Sequence, residues 1–169
     1  MSIVSQKPSF AVAVIMEKIA IESRWATHKW QPVGILPDDS TRTEPVVLSE
    51  RPESTRVLFP GLELRIYPDE AEGYYLNVSA PEPKVFVMWR IPEDNPEAAV
   101  PHMVTLSYNE AARWMDAQEK VDGVNMPEEI EAALSAWVSS NYRPPEKKQR
   151  IRPRSFESKE GRYKSGMGS

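Results

Sequence analysis

Few residues in this chain combine the type and the spacing that chemistry requires. His28 and His102 are the only histidines, and either could ligate a metal or act as a general base. No HxH, HExxH or paired-carboxylate spacing surrounds them, so the ordinary reading is a polar residue at a strand edge. A metal-assisted enzyme would need one of them beside a carboxylate cluster in the fold. The run Asp69-Glu70-x-Glu72 gathers hard oxygen ligands suited to a divalent cation. It lacks the alternating ligand spacing and internal glycine of a calcium loop and reads as a solvated hairpin tip. Asp38-Asp39 reads the same way. Neither G-x-S-x-G nor S-x-x-K occurs. The chain has no cysteine, which removes thiolate nucleophiles, thiolate metal sites and disulfides. Of seven glycines three lie after residue 160, and no G-x-G-x-x-G phosphate cradle is present. No catalytic residue is assigned, no cofactor is expected, and an enzyme is the less favoured reading.

Aromatic and charged residues offer more. Tyr75 shares a strand face with Asn77 in an extended reading of residues 74–79, and with Tyr67 it would form an aromatic patch. Asp69, Glu70 and Glu72 lie beside it, so Tyr67, Asp69, Glu70, Glu72, Tyr75 and Asn77 together make a candidate partner surface. Trp89, Trp114 and Trp137 fall on or near apolar faces and are expected in the core. A basic run carries Lys147, Lys148, Arg150, Arg152 and Arg154, which reads first as a solvated or tethered tail, then as a candidate electrostatic contact for an acidic protein, with anionic lipid or nucleic acid behind. Nucleic acid is the less favoured target, because aromatic spacing for base stacking is sparse.

These residues must be positioned by a set of short elements. Val12, Val14 and Met16 alternate with Ala11, Ala13 and Ile15, the period-two pattern of a covered strand. Residues 25–36 hold a second strand. Residues 38–55 are polar and proline-bearing, which predicts an exposed loop. Residues 56–59 and 62–67 read as strands separated by Pro60-Gly61, a turn or bulge signal. Pro68 to Gly73 reads as an acidic turn, and 74–79, 84–91 and 102–106 as further strands, with 84–91 central in the sheet. Ser107-x-x-Glu110 is a capping box opening a helix to about residue 119. Asp122-Gly123 reads as a turn, and a second helix capped by Asn125 or Met126 follows, with Ile130, Leu134, Trp137 and Val138 on its apolar stripe. The expected fold is α+β: a strongly curved or barrel-like antiparallel meander of about five to seven strands, then two C-terminal helices. Residues 1–8 would be a short leader, 9–142 one domain, and 143–169 a basic disordered tail.

Charge divides the chain at the same place. Residues 1–142 hold 12 Lys+Arg against 22 Asp+Glu, a balance of −10, while residues 143–169 hold 9 against 3, a balance of +6. An acidic body discourages indiscriminate nucleic-acid binding. No run reaches the roughly 20 apolar residues of a membrane span, and no signal-peptide pattern opens the chain. A cytoplasmic protein is expected.

Several segments together resemble a known family. They are Pro60-Gly61-Leu62-Glu63-Leu64, Asp69 to Asn77, Pro83 to Arg90, Ser107 to Arg113, Asp122-Gly123-Val124 with Met126-Pro127, and Tyr142-Arg143-Pro144. Over about residues 8–145 the chain resembles the uncharacterised proteobacterial domain-of-unknown-function family numbered 3305. The resemblance implies a genomic setting beside molybdenum-dependent formate dehydrogenase and its maturation genes. It therefore implies an accessory or adaptor protein whose partner is a molybdoenzyme or its maturation factor. The alternative is a small-ligand or cofactor-binding module, with a pocket between the curved sheet and the helices lined by Trp89, Tyr75 and His102.

Overall fold

The computed structural model describes residues 9–22, 24, 27–39 and 41–145. The expected leader, Trp25 and the basic run Lys147, Lys148, Arg150, Arg152 and Arg154 lie outside the described residues.

Apolar alternation drives the first sheet. β1 (Ser9–Ala20) turns Val12, Val14 and Met16 into the core, as period-two placement requires. It sits between β2 (His28–Pro37) and β4 (Ser54–Arg65), and β3 (Val46–Glu50) pairs with the outer side of β4. All these pairings are antiparallel. The expected loop 38–55 is thus corrected, because Val46–Glu50 forms an edge strand closed by a short turn onto β4. Its brevity and solvent exposure hid it from a hydrophobic-period reading.

The two expected strands 56–59 and 62–67 are one, bulged in the middle. Val12 faces Leu62 and Val14 faces Phe59, so β4 carries one extra residue there. Gly61 takes φ 89°, a region open to glycine, and its N–H donates to Asp38 Oδ2 at 3.0 Å. Pro60-Gly61 therefore bends a continuous strand and does not interrupt it.

A second antiparallel sheet, ordered β6-β5-β7, contains β5 (Lys84–Arg90), β6 (Val100–Thr105) and β7 (Lys120–Asn125). Residues 84–90 are central in it, as the apolar run implied. Asp122-Gly123 is not a turn but lies inside β7, with Gly123 opposite Phe86. The glycine suits the close approach of Lys84, whose Cβ and Cγ would each lie 3.2 Å from an added Cβ.

Among the described residues three α-helices replace the expected two, and they are interleaved with strands. α1 (Ala71–Val78) separates β4 from β5, and β7 separates α2 (Tyr108–Asp116) from α3 (Glu128–Asn141). The expected strand 74–79 is corrected to α1. Pro68 with Asp69 and Glu70 opens a 3-10 turn (Pro68–Glu70) that runs into it, which is N-terminal helix chemistry. The paired tyrosines mimicked strand composition. Pro127, not Asn125 or Met126, is the N-cap of α3. Ser107 does cap α2, accepting the Glu110 N–H at 3.0 Å.

The two sheets approach along two seams, β2 beside β7 and β4 beside β6, without ladder bonds between them. The architecture is α+β but not a closed barrel, and not one meander. Val85, Val87, Trp89 and Leu106 meet Val12, Val14 and Leu64 in one core, which α3 completes with Ile130, Leu134 and Val138. Tyr74 of α1 is buried there, edge-on to Trp137 at 5.6 Å. α2 lies over the opposite face of the second sheet, where Tyr108 meets Phe86 edge-on at 6.0 Å. Among the described residues no helix is long and apolar enough to cross a membrane.

Candidate functional site

The acidic run at 69–72 is divided by the fold. Ser107 Oγ, while capping α2, donates to Glu70 Oε1 at 2.6 Å, and Arg113 binds the other oxygen of Glu70. Asn109 donates to Glu72 Oε1 at 3.1 Å. Glu70 thus ties the turn before α1 to the N-terminus of α2, and such charge-assisted bonds are the stronger kind. Gly73 is buried at this junction, where Ser107 leaves no room for a larger residue.

Asn77, expected on the partner surface, is 2 % exposed. Its Nδ2 donates to the carbonyls of Lys84 (2.7 Å) and Leu106 (2.8 Å), and its Oδ1 accepts the Lys84 N–H (2.9 Å). The side chain acts as a surrogate backbone, satisfying the start of β5 and the end of β6 from the helix. Tyr75 is half-buried against the ring of Tyr142 at 5.2 Å. The expected surface is corrected accordingly: Asn77 and Glu70 are structural, Tyr75 is partly covered, and Tyr67, Asp69 and Glu72 remain exposed. The reason is the change from strand to helix, which sends positions 75 and 77 to different sides.

Each seam between the sheets is a hollow. At the β4/β6 seam a hollow of about 340 Å³ brings Leu62 and Tyr67 together with His102 and Met103, and Glu63, Arg65 and Glu110 also line it. Met103 is 44 % exposed. The Arg65 guanidinium hydrogen-bonds Glu63 and holds its carboxyl below the usual range. Close by, Tyr74 Oη accepts the Tyr67 N–H at 2.8 Å and donates to the Arg65 carbonyl at 3.4 Å. Burial pushes the Tyr74 phenol up to about 12.

At the β2/β7 seam a hollow of about 490 Å³ joins Trp30 and Trp89 with His28, Lys29, Lys120 and Asp122. Trp89 Nε1–H donates to Asp122 Oδ2 at 2.8 Å, and Trp30 Nε1–H donates to the Glu97 carbonyl at 3.0 Å. Trp89 therefore pairs with Trp30 and His28 across a sheet–sheet seam, not with Tyr75 and His102 under the helices. No local sequence signal links these positions, because the two tryptophans stand 59 positions apart.

His102 lines the β4/β6 hollow with Glu63 and Glu110. Among the described residues no group of three or more His, Asp or Glu side chains is placed to hold a metal. His28 Nδ1 is engaged with Thr27 Oγ1 at 2.8 Å.

No curated protein and no solved structure matches the chain. One family model does, described as "Protein of unknown function (DUF3305)", and it covers residues 11–152. That span takes in both sheets, all three helices and both seam hollows, and the chain belongs to this family.

Proposed function

We propose that this protein is an accessory protein that holds a partner protein at the β4/β6 seam. The observation that supports the reading is the hollow lined by Leu62, Tyr67 and Met103 together with Glu63, Arg65 and Glu110. Exposed Asp69 and the exposed ring of Tyr108 lie on the neighbouring α1 and α2 approaches. Methionine and tyrosine together suit a surface that adapts to a docked side chain. Arg65 also lines the hollow and pairs with Glu63, so Glu110 is the carboxylate that suits a partner segment in which a lysine or arginine sits next to an apolar residue. Following the family resemblance, the partner is a molybdenum-dependent formate dehydrogenase or one of its maturation factors.

The test is affinity capture of the full chain and of a Met103→Glu/Tyr67→Ala variant from cells growing on formate. Recovery of a formate dehydrogenase subunit or maturation protein by the native chain, and its loss with the variant, supports the reading. Recovery of neither by the native chain, or equal recovery by both chains, removes it.

A further inference from the structure

Five cations of the described fold sit in ion pairs. Arg56, Arg65, Lys84, Arg90 and Arg113 each pair with a carboxylate. Lys29 and Lys120 line the β2/β7 hollow with no carboxylate partner among the described residues, and Lys18 reaches the Trp30 ring beside it. In a body with a charge balance of −10, two lysines thus line this hollow. Asp122 also reaches it, but one of its oxygens accepts the Trp89 indole N–H. Glu97 lies on the rim and holds Trp30 through its carbonyl.

Both indoles are pinned at their N–H edges; Trp30 is half-buried and borders the hollow, while Trp89, 8 % exposed, forms part of its wall. Lys18 Nζ rests 5.9 Å from the centre of the Trp30 ring, and Lys120 Nζ 5.7 Å from that of Trp89. These are ordinary cation–π distances. Rings anchored in this way lose little freedom when a flat ligand stacks beside them. At about 490 Å³ the space lies within the range of small-molecule sites, about 300–1,000 Å³.

The charge chemistry narrows the ligand. A carboxylate is best recognised by the planar fork of arginine, and no arginine lines this hollow. Lysines act as point charges, and two of them match the roughly −1.5 to −2 charge of a phosphate monoester at neutral pH. We propose that the β2/β7 seam binds a small heteroaromatic phosphate, its ring against Trp30 and its phosphate between Lys29 and Lys120. The site is separate from the partner-binding hollow and does not rest on that reading.

The test is calorimetric titration of the full chain with two mononucleotides, flavin mononucleotide and adenosine monophosphate. Riboflavin, adenosine and inorganic phosphate serve as the incomplete probes. At least one mononucleotide should bind at least about tenfold more tightly than its phosphate-free counterpart and than phosphate alone, a difference of about 1.4 kcal/mol. A Lys29→Ala/Lys120→Ala variant, changed only at exposed positions, should keep its circular dichroism and lose that advantage. Trp30→Leu should weaken ring-bearing probes with and without phosphate. Absence of binding by either mononucleotide at about 1 mM, a weak limit of about −4 kcal/mol, overturns the proposal. So does binding that the lysine variant leaves unchanged, or binding in which phosphate confers no advantage.

Discussion

Gly73→Ala sets helix propensity against packing, and the structure decides which wins. Gly73 lies within α1, where alanine would by itself stabilise the helix by about 1 kcal/mol. An added Cβ would stand 2.1 Å from Ser107 Oγ and 3.1 Å from both Ser107 Cβ and Asn109 N. Ser107 cannot yield without loss, since the same oxygen caps α2 and donates to Glu70. Loss of the cap costs about 1 kcal/mol, and loss of the charge-assisted bond about 2 kcal/mol. Set against the propensity gain, the substitution should destabilise by about 2 kcal/mol. Urea unfolding should show a midpoint lowered by about 1 M with an unchanged slope. In a Ser107→Gly background both obstructing side-chain atoms are gone, so Gly73→Ala should there be close to neutral. A stabilised Gly73→Ala protein, or an equal cost in both backgrounds, refutes the reasoning.

Asn77→Ala strips partners from one N–H and two carbonyls inside the fold and should cost about 3 kcal/mol, lowering Tm by roughly 6–12 °C; unchanged thermal unfolding would instead place Asn77 at the surface. Tyr74 governs the alkaline limb. Its folded value of about 12 lies above the unfolded value, so between about pH 10 and 12 the unfolded chain loses its proton first. Stability should fall there by about 2–3 kcal/mol, and Tyr74→Phe should remove that part of the slope in unfolding measured against pH. Glu17 governs part of the acid limb, because the hydrogen bond from Arg56 (2.8 Å), helped by Ser54, holds its carboxyl below the usual 4.5. Its contribution is present above that value and is lost as pH falls through the lower folded value. Glu17→Gln should flatten the acid denaturation profile, and an unaltered profile would contradict the assignment.

The sequence by itself determined the elements whose signals are local and regular. Period-two apolar runs marked β1 and β5, Ser107 with Glu110 marked the start of α2, and the i, i+4 spacing of Ile130, Leu134 and Val138 marked α3. Each of these patterns reflects burial on one face or a bond made within one turn. Family membership was legible too, since it rests on residue identities in order. Only the tertiary structure decided the rest. Residues 74–78 carry strand-like tyrosines but form a helix, because Tyr74 enters the core and Asn77 satisfies the ends of two strands far away in sequence. Gly123 reads as a turn until its neighbour Phe86 is known, and Val46–Glu50 reads as a loop until β4 lies beside it. The hollows were beyond local reading for the same reason. Trp30 with Trp89, and Tyr67 with Met103, meet only where two sheets abut, and a contact between sheets leaves no period along the chain.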